Sequence, residues 1–262
     1  MRLSPNILSK AVLLTAMFVA APVRGHGIIF GIAPDNRIQS GWPDPVTGDP
    51  AFPVRVFAAW FGELPDFTND PGFDSEVGTF SPGSVNGFNI RRALRLWNGV
   101  DFNQIPDEQI EMRFGPLGPI STPTDDTPVE GFGLSVSPGG IWHHHIGFTL
   151  TQPARAGIYL LELELWSDQP GLLTSDPFWI VFNQNEPDSV LDEAIAWVQD
   201  HLAGGGSCPG DVNGDGTLDV RDFFAFVSLF AIGDPAADLN ADGRVDVLDF
   251  FFFVSAFAQS CP

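Results

Sequence analysis

Two acidic stretches of twelve residues constrain this chain more than any other feature. They read DVNGDGTLDVRD over 211–222 and DLNADGRVDVLD over 238–249, with a 27-residue offset. Each concentrates four aspartates among glycine and asparagine, and carboxylates at that density repel one another. We therefore expect neither stretch to fold until a cation compensates its charge.

The spacing of oxygen-bearing residues in both stretches matches the calcium-binding loop of EF-hand proteins. Counted from 1, aspartate or asparagine falls at positions 1, 3, 5, 9 and 12, glycine stands at position 6, where the loop turns sharply, and position 7 can offer a backbone carbonyl. The predicted ligands are Asp211, Asn213, Asp215, Thr217, Asp219 and Asp222 in one loop, and Asp238, Asn240, Asp242, Arg244, Asp246 and Asp249 in the other.

A phenylalanine-rich, helix-like segment follows each loop, DFFAFVSLFA at 222–231 and DFFFFVSAFA at 249–258. Duplicated loop–helix units with Asn at position 3 and Asp at position 12 resemble the dockerin type I domains of bacteria. The resemblance covers 208–262 and implies a small α-helical domain with two Ca²⁺ ions, folding coupled to calcium, and a protein partner that is cohesin-like or another surface protein.

The residues at loop positions 10 and 11 depart from that family, which uses polar side chains there for recognition. Here they are Val220–Arg221 and Val247–Leu248, which argues against an ordinary cohesin as the partner. Some phenylalanines must form a core between the two helices, and those expected there are Phe223, Phe226, Phe250 and Phe253. The four successive aromatics at 250–253 cannot all face inward, so we expect the remainder to form a partner surface.

Residues 1–25 are predicted to be a signal peptide. The apolar run AVLLTAMFVAA at 11–21 follows a weakly basic start and is too short to span a bilayer. No later segment is long and apolar enough to anchor the chain. The mature protein is therefore predicted to have no membrane span and to be secreted, extracellular or at the cell surface, with the periplasm as an alternative.

The two cysteines, Cys208 and Cys261, bracket the acidic repeats. Export allows a disulfide between them. In the chain-entropy model, closing the loop between the two cysteines would stabilise the folded state by roughly 4 kcal/mol. Two unrelated free thiols are the alternative. The formal net charge of −21 predicts a surface that repels nucleic acid and anionic membranes.

Residues 26–184 are predicted to form an antiparallel β-sandwich, because short apolar runs alternate with turn residues. The predicted strands lie within 54–61, 108–115, 141–150, 157–166 and 177–183. In the run at 157–166, alternation of leucines with Glu162 and Glu164 predicts one core face and one wet face. The pattern of 187–202 predicts a helix within 185–202, capped by Asp188 or Ser189, and 203–207 is predicted to be a flexible linker.

Three successive histidines at 143–145 suggest a second kind of metal site, separate from the two calcium loops. On a strand, His143 and His145 share one face. If that strand paired with 158–166, matching apolar faces would place His145 opposite Glu164, and two histidines with a carboxylate suit Zn²⁺ or Cu²⁺. A surface His–Glu pair without metal is the alternative. The segment 141–165 also resembles a His-x-His repeat of bacterial surface-anchored proteins.

The chain contains no recognisable hydrolase signature, so no catalytic residue is predicted. The clustered Arg91, Arg92 and Arg95 are expected to pair with acids of the same chain, with an anion-binding site as the alternative. The sequence favours a secreted, calcium-binding, non-catalytic β-sandwich that a dockerin-like module attaches to a protein partner. The alternatives are a polysaccharide-degrading enzyme or accessory module, which would bind polysaccharide, and an extracellular zinc- or copper-binding protein.

Overall fold

The computed structural model describes residues 27–44, 47–203, 210–213, 218, 220–239 and 244–258. The predicted signal peptide (1–25), the predicted disulfide between Cys208 and Cys261, and nearly all of the predicted linker (203–207) lie outside these residues. Within them the protein is mainly β, with three sheets and three α-helices. This confirms the predicted fold class at that level.

The strands occupy the part of the chain before the first helix. They are β1 (Ile28–Ile32), β2 (Ile38–Pro43), β3 (Pro50–Ala51), β4 (Val56–Trp60), β5 (Phe67–Thr68), β6 (Phe73–Ser75), β7 (Val85–Ile90), β8 (Arg95–Leu96), β9 (Ile110–Phe114), β10 (Leu117–Ser121), β11 (Val129–Ser135), β12 (Trp142–His144), β13 (Gly147–Leu150), β14 (Gly157–Ser167) and β15 (Phe178–Gln184). Each predicted run contains a strand, and the run at 141–150 is divided into β12 and β13. Most neighbours are antiparallel, but β1 with β6 and β4 with β15 are parallel pairs.

The three sheets share one apolar core. Their strand orders are β12-β6-β1-β2-β3, β10-β9-β13-β5 and β11-β7-β14-β15-β4, with β8 also paired to β14. Buried side chains from all three sheets form a continuous cluster. At its centre the Phe30 ring makes edge contacts with Phe73, Trp142 and Phe178 at centroid separations of 5.4, 5.8 and 5.5 Å. Aromatic rings prefer such edge-to-face contacts, which add to the free energy gained from burial.

The prediction that β14 has one wet face is wrong. Both Leu160 and Glu162 are buried on the face that was expected to be exposed. Helix α1 (Asp188–His201) covers this face, where Leu191, Ala194 and Val198 pack with Leu160 and Trp179. Alternation within one strand cannot reveal a helix that packs on it from elsewhere in the chain.

Helix α1 lies where the sequence predicted it, but its predicted cap is wrong. The N-cap residue is Pro187, and no side chain caps the helix. Asp188 is instead the first helical residue, and its carboxylate accepts a hydrogen bond from the Trp60 indole at 3.1 Å. The carboxylate therefore joins α1 to β4.

The remaining helices are α2 (Val220–Ile232) and α3 (Val247–Ala258), with a short 3₁₀ turn at Pro235–Ala237 between them. They pack around a small core in which Phe226 and Phe253 stack with centroids 4.4 Å apart. In the described part of the chain, no helix combines the length and the hydropathy needed to cross a bilayer.

Candidate metal centres

The two aspartates at position 12 of the acidic repeats are completely buried. Asp222 and Asp249 each have 0% of their surface exposed, in the first turns of α2 and α3 respectively. The Asn213 backbone N–H donates to Asp222 Oδ1 at 3.2 Å, and the Asp246 N–H donates to Asp249 Oδ2 at 2.8 Å. Each carboxylate is thus held against the backbone of the acidic stretch that precedes its helix.

Helix α3 begins with a reciprocal cap built from two predicted ligands. Asp246 Oδ1 accepts a hydrogen bond from the Leu248 N–H at 2.8 Å, and Asp249 Oδ2 accepts one from the Asp246 N–H. Asp246 thus caps the second N–H of the helix, and Asp249 reaches back to the Asp246 N–H as the third helical residue does in a capping box, so both satisfy donors that a helix start leaves free. Residues at positions 9 and 12 therefore also help to start the helix.

The rest of the predicted calcium ligands are only partly described. Asp211 and Asp238, at position 1 of each loop, are half-buried, and Arg244 is exposed. Asp215, Thr217, Asp219, Asn240 and Asp242 lie outside the described residues.

Exposed apolar side chains repeat on α2 and α3 with the 27-residue offset. We call these six residues the apolar stripe: Val220, Phe224 and Val227 on α2, and Val247, Phe251 and Val254 on α3. Phe224 and Phe251 are 63% and 62% exposed. Phe226 and Phe253 are buried as predicted and Phe250 is half-buried, whereas the prediction that Phe223 lies in the core is wrong because it is exposed.

The histidines lie beside the loop and strand formed by residues 69–75. His143 is paired with Asp74 in the antiparallel ladder of β12 and β6, and its Nδ1 lies 3.1 Å from Asp74 Oδ2. His145 Nδ1 lies 3.4 Å from Asp70 Oδ1 and 3.2 Å from the carbonyl oxygen of Asn69. Sequence reasoning missed both aspartates, because no local pattern indicates which distant strand lies beside β12.

The expected pairing of His145 with Glu164 is wrong. Glu164 lies opposite Asn89 in the ladder of β14 and β7, where it accepts hydrogen bonds from Asn89 at 2.9 Å and Arg91 at 2.8 Å. The strands β12 and β13 pair with β6, β9 and β5, not with β14. Among the described residues, no group of three or more His, Cys, Asp or Glu side chains could hold a metal ion.

His144 differs from its two neighbours because it is turned towards apolar rings. Its imidazole makes edge contacts with Phe114 and Trp142 at centroid distances of 5.1 and 5.6 Å. Burial lowers the pKa of His144 below its ordinary value. His144 therefore packs against neighbouring aromatic rings, whereas the side chains of His143 and His145 are partly exposed.

The arginine cluster is paired within the chain, as predicted. Arg91 contacts Glu164, Arg92 contacts Glu162 at 2.8 Å, and Arg95 contacts Asp126 at 2.6 Å. A groove of about 550 Å³ lies between this cluster and the end of α1, where His201 stacks on Trp197 at 4.5 Å. Its walls carry Arg92, Arg95, Val100, Asp101, Phe102, Asn103, Leu160, Glu162, Trp197, His201 and Leu202. The hypothesis that this protein is a polysaccharide-degrading enzyme or accessory module stays a prediction.

Comparison with known proteins identifies no family. No family model and no curated protein matches the chain. One similar solved structure is a family 123 glycoside hydrolase from Clostridium perfringens, described in connection with glycolipid glycan hydrolysis; the identity is 16%, over 52% of this chain, with a TM-score of 0.26. The chain spans about a quarter of that enzyme, 24% of its length. A likeness this low carries no argument about fold or activity.

Proposed function

We propose that this is a secreted calcium-binding protein, in which a dockerin-like C-terminal module attaches a non-catalytic β-sandwich to a protein partner. Two Ca²⁺ ions, one for each acidic repeat, would order the module. The ligands would come from positions 1, 3, 5, 7, 9 and 12 of each repeat.

The burial of Asp222 and Asp249 is the observation that supports calcium binding most strongly. Removing a carboxylate from water costs several kcal/mol unless hydrogen bonds and opposite charge compensate it. The same burial at equivalent positions of two repeats is not what solvated acidic loops would give. A hard divalent cation with oxygen ligands would add opposite charge to the hydrogen bonds that both carboxylates already accept.

Calorimetric titration of the chelator-treated full-length protein with Ca²⁺ tests this part of the proposal. We expect two ions per chain, one in Asp222→Asn, one in Asp249→Asn and none at comparable affinity in the double variant. Asp200→Asn, at an exposed aspartate of α1, is the matched control and should still bind two. Two ions retained by the double variant would contradict the proposed ligand sets.

The apolar stripe is the face that we propose for docking. Its exposure is nearly equal on the two helices, so α2 and α3 offer similar surfaces. A protein with an apolar binding face is the occupant we favour over a lipid surface, because the net charge of −21 opposes adsorption to anionic membranes. Such a partner would also fit Val220–Arg221 and Val247–Leu248, where the dockerin resemblance implies polar residues.

Docking is tested by affinity capture and cross-linking with the full-length protein as bait. Partners should be recovered in calcium, lost in chelator, and lost from the Phe224→Ser/Phe251→Ser variant, which should keep both calcium ions. Val100→Ser changes a 72% exposed valine outside the stripe and should recover the same partners. Equal recovery by all three proteins would refute docking through this face, while self-association on size-exclusion chromatography would identify a second copy as the occupant.

A further inference from the structure

His143 and His145 each have an oxygen partner at Nδ1. Asp74 is the partner of His143, and both Asp70 and the carbonyl of Asn69 are close to Nδ1 of His145. A carboxylate or carbonyl at Nδ1 favours the tautomer in which Nδ1 carries the proton, so that Nε2 keeps its lone pair. Histidines that bind metal ions through Nε2 commonly have this same arrangement at their other nitrogen.

The separation of the two rings also fits a shared ion. Their centroids are 5.0 Å apart, with an angle of 69° between the ring planes. Two imidazoles that bind one tetrahedral ion through Nε2, at about 2.0–2.1 Å each, have centroids about 5 Å apart. The centres of the two rings therefore already have the separation that a common ion would require.

We propose that His143 and His145 bind one divalent transition-metal ion through their Nε2 atoms, and that Asp74 and Asp70 orient the two rings from Nδ1. The ion is Zn²⁺ or another cation that prefers imidazole, such as Cu²⁺. Water completes its coordination, because no third metal-binding side chain joins the pair among the described residues. This site is independent of the calcium repeats, whose oxygen ligands suit a harder ion.

Gly72 leaves the space that the His145 ring occupies. A Cβ atom at position 72 would lie 3.1 Å from His145 Cε1 and 3.2 Å from its Nδ1. The same Cβ would lie 3.2 Å from the His144 carbonyl oxygen, so the backbone on that side cannot easily give way. Gly72→Ala is thus expected to displace the ring and weaken metal binding without removing a ligand.

Zinc titration of the tag-free, calcium-saturated full-length protein tests the site. We expect one Zn²⁺ per chain, and a loss of affinity of at least about 100-fold in His143→Gln/His145→Gln. Asp74→Asn should weaken binding about 10–100-fold through its effect on the ring, and His201→Gln should bind like the parent protein. Circular dichroism and melting curves must match across the variants, which is expected because both histidines are partly exposed.

Long-range ¹H–¹⁵N spectra of the imidazoles identify the coordinating atom. On adding Zn²⁺, the Nε2 resonances of His143 and His145 should shift while their Nδ1 atoms stay protonated; His201 should not change. Zinc affinity unchanged in the double histidine variant, or no saturable binding at micromolar Zn²⁺, would overturn the proposal. Either result would leave two surface His–Asp pairs with no metal, whatever the outcome of the calcium experiments.

Discussion

At the scale of single residues, the best-defined charge interaction in the β region joins Glu108 and Arg155. Glu108 is buried, and its two carboxylate oxygens accept bonds from Arg155 Nε at 2.8 Å and Nη2 at 2.9 Å. The hydrogen bond from the Arg155 side chain is the main reason that the pKa of Glu108 falls to about 2. The Tyr159 hydroxyl donates to the Arg155 carbonyl at 2.9 Å, and burial raises the pKa of Tyr159 above its ordinary value.

The Glu108–Arg155 pair is expected to stabilise the folded protein less as the pH falls. Because the folded-state pKa of Glu108 is below the unfolded value of about 4.5, its contribution is complete above that pH and is lost as the pH falls towards about 2. Glu108→Gln should lower the free energy of unfolding at pH 7 by about 3 kcal/mol and flatten its dependence on pH between 5 and 2. Denaturant titrations at several pH values measure both effects.

Glu130→Gln is the matched control, because Glu130 is exposed on β11. Its unfolding free energy should stay within about 0.5 kcal/mol of the parent protein. Equal effects of the two substitutions would mean that the buried pair contributes nothing specific.

At the scale of secondary-structure elements, the two C-terminal helices divide their phenylalanines between a core and a surface. Phe226 and Phe253 are stacked at an angle of 1° and buried, whereas Phe224 and Phe251 of the apolar stripe point to solvent. Adjacent positions on a helix face different directions, so a run of aromatics supplies both surfaces at once. A short module with so few core side chains depends on each of them.

Phe226→Ala and Phe224→Ala should therefore differ sharply. The first removes half of the central stack and should cost about 3–5 kcal/mol, enough to unfold the module even in calcium. The second, at an exposed ring, should change stability by about 0.5 kcal/mol or less. Limited proteolysis in calcium-containing buffer measures the difference, and equal protease resistance would show that the Phe226 stack does not stabilise the module.

Helix α1 packs on the β11-β7-β14-β15-β4 sheet, on the face that is turned away from the main apolar core. Its Leu191 is fully buried against the cluster that contains Leu160 and Trp179. Leu191→Ala should lower the unfolding free energy by about 2–4 kcal/mol, while Glu193→Ala, at an exposed position of α1, should have little effect. A cooperative thermal transition unchanged by Leu191→Ala would show that α1 is not part of the folded β region.

At the scale of the whole molecule, local sequence patterns were enough to predict the strands and helices. The candidate histidine site, in contrast, depends on the pairing of strands that are distant in sequence. The runs around β4, β9, β14 and β15 could be identified because alternation and turn residues are local signals. The partners of His143 and His145 could not, because Asp74 and Asp70 reach them only through the pairing of β12 with β6. The wrong partner, Glu164, came from joining strands that follow one another in sequence.

Hydrogen exchange on the full-length protein, with calcium and with chelator, tests the central claim most directly. We predict that amides in α2 and α3 are strongly protected only when calcium is bound, while amides in β14 and β15 are protected equally in both conditions and serve as an internal reference. Equal protection of α2 and α3 without calcium would contradict the claim that two cations order the C-terminal module.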